Sequence, residues 1–355
     1  MQNNIIVRLL LLPFALVFSG IISLRNIFYE TGLLKATSFN LPVINVGNLS
    51  VGGTGKTPHI EYLIRLLSPY LHVATLSRGY KRRSKGFRLV EYHDNASIAG
   101  DEPLQFKKKF PQVPVAVSES RNIGIPLLLK SSPDTQCILL DDAFQHRSVV
   151  PGLNILLTEY DNLFTDDYLL PAGRLREPRS SYVRADIIIV SKCPAFILPE
   201  RREEITKKIK PYRHQKLLFS KYKYGIPYFL LDRDIRLELT LNTSVHVLSA
   251  VANIDYMISY LYDKCRIENT IKYEDHHYFS EAELESFKKI KEANSDDGLV
   301  FLTTEKDATR LLLHTDYILK HQLPFFVLPV EVQFLNKDNA RFDSIVKQFL
   351  LNFKV

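Results

Sequence analysis

Residues 43–58 run Val-Ile-Asn-Val-Gly-Asn-Leu-Ser-Val-Gly-Gly-Thr-Gly-Lys-Thr-Pro, and no other segment constrains the chain as tightly. An apolar stretch, 43–46, leads into Ser50, Val51, Gly52, Gly53, Thr54, Gly55, Lys56 and Thr57. Ile60, Leu63, Ile64 and Leu67 then fall on one face at helical spacing. A strand, a glycine-rich turn and a helix in this order make a cradle for phosphate. Glycines let backbone N–H groups curl around the anion, and the helix N-terminus adds its dipole. Lys56 is expected to reach the terminal phosphates and the Thr57 hydroxyl to ligate Mg²⁺. Pro58 suits the first helical turn. The strict pattern G-x-x-x-x-G-K-[ST] fails only at its first position, where Ser50 stands.

The stretch Cys137-Ile138-Leu139-Leu140-Asp141-Asp142 is an apolar strand ending in two acids. In phosphate-loop proteins an acid at that place holds Mg²⁺, so Asp141 and Asp142 are both candidates. Ser191-Lys192-Cys193-Pro194 follows another apolar run but lacks the aspartate of a guanine-binding N-K-x-D motif, which disfavours a GTPase. Val51 occupies the place of the second lysine of partitioning-type ATPases.

Short apolar runs at 43–46, 73–76, 113–117, 138–140, 155–157 and 187–190 alternate with helical patterns. That alternation predicts parallel βα units in a doubly wound α/β sheet. Residues 223–244 break it and read as a two-strand linker around Asp232-Arg233-Asp234; the βα pattern restarts at Val245. The 355 residues therefore divide into an N-terminal helix at 1–35, a phosphate-loop core at 36–222, the linker, and a smaller C-terminal α/β domain at 245–355. Hydrophobic residues at 46% and charged ones at 24% exclude a disordered chain, a collagen and a coiled-coil rod. The net charge of +7 suits anionic partners without choosing among them. Cys137, Cys193 and Cys265 have neither metal-ligand spacing nor an even count, so they read as core residues in a reducing compartment.

Leu9 to Leu24 carries no charge and is flanked by Arg8 and Arg25. At 16 residues it is short of the ~20 that a spanning helix needs. A thin polar stripe (Asn4, Arg8, Ser19, Ser23, Asn26, Glu30) favours a helix lying in a membrane interface. A single span, a buried helix and a cleaved signal peptide are the competing readings.

These pieces in this order resemble the tetraacyldisaccharide 4'-kinases, the lipid A 4'-kinases of Gram-negative bacteria. The resemblance rests on 47–58, on Leu76-Ser77-Arg78-Gly79-Tyr80 and on Gly100-Asp101-Glu102-Pro103. It continues through Asp141-Asp142-Ala143-Phe144-Gln145-His146, residues 170–178, Asp275-His276-His277 and Thr304-Glu305-Lys306-Asp307-Ala308. Ala143 and Arg174 depart from residues common in the family, and 249–253 is a loose version of a family segment. The resemblance implies transfer of the ATP γ-phosphoryl group, with Mg²⁺, to the 4'-hydroxyl of a tetraacyldisaccharide 1-phosphate, giving lipid IVA. It implies work at the cytoplasmic face of the inner membrane. It points to Asp101 and His276 as a catalytic dyad, and to Arg176 and Glu177 near the phosphates and Mg²⁺. It also points to Arg121 near substrate and to Gln145 beside the acid pair. Asp101 and His276 fall in different domains, so closure is expected to assemble them.

Arg78, Lys81, Arg82, Arg83, Lys85 and Arg88 form a basic stretch without an acid. A solvated loop is one reading; attraction to anionic lipid or to the substrate's 1-phosphate, with Arg78 in contact, is the other. No nucleic-acid module accompanies the run, so no nucleic-acid partner is expected. The rival function is a membrane-bound nucleotide switch that recruits a protein partner. It differs from a kinase in turning over ATP without a lipid acceptor.

Overall fold

A computed structural model describes residues 5–294 and 298–354. Strands β1 (Val43–Asn48), β2 (Val73–Ser77), β3 (Arg88–Leu89), β4 (Val115–Val117), β5 (Cys137–Asp141), β6 (Leu153–Glu159), β7 (Ile187–Ser191) and β8 (Lys216–Tyr224) build one sheet. A second sheet holds β9 (Tyr228–Phe229), β10 (Asp232–Arg236), β11 (Ser244–Ser249), β12 (Arg266–Lys272), β13 (Val300–Thr304) and β14 (Phe325–Leu328). The last strand, β15 (Val330–Phe334), returns to the first sheet.

The large sheet has the order β15-β8-β7-β6-β1-β5-β2-β4-β3. Its interior pairs are parallel, and only the edge strands β15 and β3 run antiparallel. Strands buried on both faces read as unbroken apolar runs, which is why β1, β5 and β7 were legible. Strand β1 lies between β5 and β6. The chain therefore leaves β1 where successive connections pass to opposite sides, the usual place for a ligand crevice in such sheets.

The second sheet, β10-β9-β14-β13-β11-β12, is parallel from β14 to β12 and ends in the antiparallel β9–β10 pair. The polar segment that the sequence assigns to a linker therefore supplies this sheet's edge. A further difference is at the C-terminus. Residues 330–352 fall within the span assigned to the C-terminal domain, yet β15 pairs with β8 from Val330–Tyr224 to Phe334–Ser220. Val332 and Phe334 alternate with Glu331 and Gln333, an edge strand with one buried face. Phe342 and Val346 of the following helix join the same core as Ile60, Ile64 and Leu67.

The N-terminal helix, Ile5–Glu30, is longer than its uncharged stretch and contains Pro13. Its 26 residues extend about 39 Å. Leu9, Leu10, Phe14, Leu16, Val17 and Ile21 are exposed. Among the described residues it is the one helix long and apolar enough, by length and composition, to cross a membrane. The three cysteines are free and buried.

Candidate active site

A cleft of about 690 Å³ opens at the C-terminal end of β1. Residues 50–58 line one side; Asn253, Asp275, His276, Glu305 and Lys306 from the second sheet's loops line another. Gly55 has φ 87° at the start of the Lys56–Leu67 helix, a left-handed conformation that glycine adopts without strain. Gly47 is required for a different reason: a Cβ there would lie 2.6 Å from Phe144 Cβ. The missing side chain lets the loop after β5, with its acid pair, pack onto β1.

Two cations converge on Asp142. Arg176 donates to its carboxylate through both terminal nitrogens, at 3.0 and 2.7 Å, and Lys56 Nζ lies 3.7 Å away. Burial opposes the Asp142 charge, but Lys56 and Arg176 outweigh it and hold the carboxyl well below its usual range. Asn48 fixes the corner, its side-chain oxygen accepting from Lys56 at 3.3 Å and from Arg176. Gln145 donates to the Asn48 carbonyl at 2.9 Å. Residues 174–176 run alongside 49–51, with Val51 N–H donating to Arg174 O and Arg176 N–H to Leu49 O.

Asp141 differs from its neighbour. It is 2% exposed, and burial followed by the charges of Glu102 and Asp142 pushes its carboxyl up to about 7. One oxygen accepts from Ser77 Oγ at 3.3 Å, while Oδ1 is buried without a hydrogen-bond partner. An unpartnered carboxylate oxygen, in a cleft that Asp142 and Thr57 also line, belongs to an all-oxygen donor set suited to Mg²⁺. Among the described residues no cluster of three or more His, Cys, Asp or Glu could hold a metal by itself. The donors thus fit a cation that takes its remaining ligands from phosphate and water.

Asp101 and His276 are in direct contact in this structure. Asp101 opens a helix immediately after Gly100, and His276 Nδ1 lies 2.8 Å from its Oδ2. Arg310 Nη1 donates to the same oxygen at 3.1 Å, and Glu102 N–H donates to Oδ1 at 3.0 Å. Burial pushes the Asp101 carboxyl up, but the His276 hydrogen bond and the Lys306 and Arg310 charges hold it down at about 2. His276 has φ 63°, and its N–H donates to Ala250 O at 3.2 Å. Among the cleft-lining residues Lys81, Asp142 and Lys192 are also non-glycines with positive φ. Such strain persists where the surrounding structure over-determines it, as at functional sites. Asp101 is 4% exposed and lies behind His276, which lines the cleft.

Arg78 and Gln145 line the cleft, and the P-loop, Asp141, Asp142 and Arg176 gather there with them. Two expected residues do not. Arg121 is fully buried and donates to the carbonyls of Ser118 and Asp141, at 2.8 and 2.7 Å; it braces the end of β5. Glu177, expected near Mg²⁺, is fully buried away from the cleft lining and pairs with Arg25 and Arg184. Its carboxylate oxygens serve those two guanidinium groups. Two of the six basic-stretch residues are ion-paired: Arg82 with Glu119 at 2.6 Å and Arg88 with Asp94. Lys306 and Arg310 were missed as site residues. Lys306 lies in a motif that the sequence does reveal, but nothing local says that its side chain reaches His276.

The sequence model of the family described as Tetraacyldisaccharide-1-P 4'-kinase (LpxK) matches residues 7–351. A tetraacyldisaccharide 4'-kinase of Flavobacterium johnsoniae is 45% identical over 345 residues, covering 97% of this chain and 98% of the relative. One from Bacteroides thetaiotaomicron is 42% identical over 347 residues, covering 94% and 91%. The crystal structure of Aquifex aeolicus LpxK, an "apo" form in complex with ATP, superposes with a TM-score of 0.73 at 30% identity, over 97% of this chain and 99% of that one. On this match across nearly its whole length, the chain belongs to the tetraacyldisaccharide-1-P 4'-kinase family.

Proposed function

We propose that this protein transfers the γ-phosphoryl group of ATP to the 4'-hydroxyl of a tetraacyldisaccharide 1-phosphate, the lipid A precursor, giving lipid IVA. The observation that carries the reading is one cleft shared by a phosphate-binding loop and an imidazole backed by a buried carboxylate. The backbone N–H groups of 52–57 and Lys56 bind the terminal phosphates. Thr57, Asp141 and Asp142 would hold Mg²⁺, which would screen phosphate charge. Arg176, Arg78 and Gln145 face the transferring group.

His276 Nε2 takes the proton of the acceptor hydroxyl as its oxygen bonds to the γ-phosphorus. The bond from that phosphorus to the bridging oxygen breaks, and ADP leaves. Asp101 accepts from Nδ1–H and stabilises the imidazolium. The domain division supports this arrangement, with the phosphate-binding side on the large sheet and His276 on the small one. The Ile5–Glu30 helix seats the enzyme on the cytoplasmic leaflet of the inner membrane. Its exposed apolar residues between Arg8 and Arg25 support that placement. The test is transfer of labelled γ-phosphate to a lipid A disaccharide precursor. Labelled lipid with the parent protein and none with Lys56→Ala is expected; ATP turnover indifferent to the lipid would reject the reading.

A further inference from the structure

The motif Thr304-Glu305-Lys306-Asp307-Ala308 has no role in the chemistry above, yet it lies against the cleft. Thr304 caps the Glu305–Leu311 helix by accepting from Asp307 N–H, which fixes where the next side chains point. Lys306 then reaches His276: Nζ lies 3.1 Å from Nε2. It also lies 3.5 Å from Glu102 Oε1, 3.6 Å from Asp275 Oδ1 and 4.0 Å from Asp101 Oδ2.

A lysine among three carboxylates is an ammonium. Burial lowers its proton affinity, but Glu102, Asp101 and Asp275 more than reverse this. An ammonium has donors only, so the nitrogen facing it must accept. That assigns the tautomer of His276: Nδ1 carries the hydrogen and gives it to Asp101, and Nε2 presents its lone pair. Asp275 Oδ2, 3.6 Å from Nε2, is too far to draw a hydrogen the other way. The other groups about the ring are Tyr80, with its ring centroid at 5.1 Å, Arg310 behind Asp101, and Lys81, which donates to Asp275 O.

We infer that Lys306 is a positioning residue for phosphoryl transfer, holding His276 as a neutral base with its Nε2 lone pair turned to the cleft until the acceptor hydroxyl replaces the ammonium. The inference rests on the kinase reading for its purpose but not for its geometry. A cation at hydrogen-bond distance opposes protonation of the ring. Asp101 on the far side favours it. Held by Lys306 at Nε2 and by Asp101 at Nδ1, the ring is fixed at both ends until the lysine moves aside.

The test uses the full chain in detergent, labelled with ¹⁵N-histidine, with His276→Gln identifying the signal. In the parent protein Nδ1 is expected to carry the hydrogen and Nε2 to be bare. In Lys306→Met, which keeps the apolar stem, the ring should protonate about one pH unit higher or more. The acid limb of kcat/KM should move upward with it, while KM for ATP stays near the parent value. Lys306→Arg, which restores a donor-only cation, should return both toward the parent. A parent ring with Nε2 protonated overturns the inference without any variant, as does a Lys306→Met ring that titrates like the parent. Parent protein that shows the expected tautomer but labels no lipid would instead count against the kinase reading.

Discussion

Arg25, near the end of the apolar helix, donates to Glu177 Oε1 at 2.9 Å, and Glu177 adjoins the arginine that holds Asp142. Arg184 closes the pair from the other side. The end of the apolar N-terminal helix is thereby fastened to the loop that shapes the phosphate site. Arg147 adds a second tie by donating to Glu30 at 3.2 Å.

Glu177 therefore serves as an anchor. Replacing it by Gln leaves two guanidinium groups short of their counter-charge around a fully buried position. Breaking a buried pair in this way costs ~3–5 kcal/mol. Glu177→Gln should lower the thermal midpoint by several degrees, while the Mg²⁺ concentration needed for half-maximal activity stays unchanged. A raised Mg²⁺ requirement with undiminished stability would restore Glu177 as a metal ligand.

Asp101 and His276 should behave as one unit. Each alanine variant is expected to lower kcat by roughly 10²–10⁴. The double variant should lose little beyond the worse single, because groups acting through one another are not additive. ATP affinity, measured by calorimetry, should remain near normal. Losses that multiply, with chemistry still rate-limiting, would mean the two side chains act separately. Since Asp101 is held near 2, its carboxylate stays charged throughout the working pH range. The stability it contributes is complete above the unfolded carboxyl's 3.8 and lost only as pH falls through about 2.

The sequence revealed elements whose signal is local. The glycine loop, the acid-tipped strand β5 and the buried runs of β6 and β7 carry their own signatures in period and composition. It did not reveal that β15 rejoins the large sheet, because a five-residue alternation of Val330, Val332 and Phe334 does not name its partner strand. Site residues split the same way. Lys56 and Asp142 follow from a motif, whereas Lys306 and Arg310 matter only through tertiary contacts with His276 and Asp101. Arg121 and Glu177 show the converse: Glu177 stands in an informative motif and Arg121 does not, yet the charges of both are satisfied inside the protein.

Deleting residues up to Leu24 removes most of the helix's exposed apolar surface and keeps the Arg25 tie. The truncated protein should leave the membrane fraction on sedimentation. Its activity on a long-chain acceptor should fall further than its activity on a short-chain soluble one. Equal activity on both, with sedimentation intact, would show that another surface carries the membrane contact.

The last expectation concerns pH and the junction of the two sheets. Lys109 Nζ lies 2.7 Å from Glu61 Oε2 on the phosphate-loop helix and 2.7 Å from Glu305 Oε1 at the start of the helix after β13. Two carboxylates thus share one ammonium, helped by Arg65 at 3.4 Å from Glu61. Burial, then the Glu305 charge, pushes the Glu61 carboxyl up from 4.5 to about 7. The folded chain therefore holds this proton more tightly than the unfolded one. The resulting stability is fully present below about pH 4.5 and is lost as pH rises through about 7. Glu61→Gln imitates the protonated form and keeps an acceptor for Gln105, which donates to Glu61 Oε1 at 2.8 Å. Its thermal midpoint relative to the parent should rise between pH 5 and pH 8, by scanning calorimetry at constant ionic strength. A difference that stays flat across that range would mean Glu61 is ionised throughout, with Lys109 neutralising both acids equally.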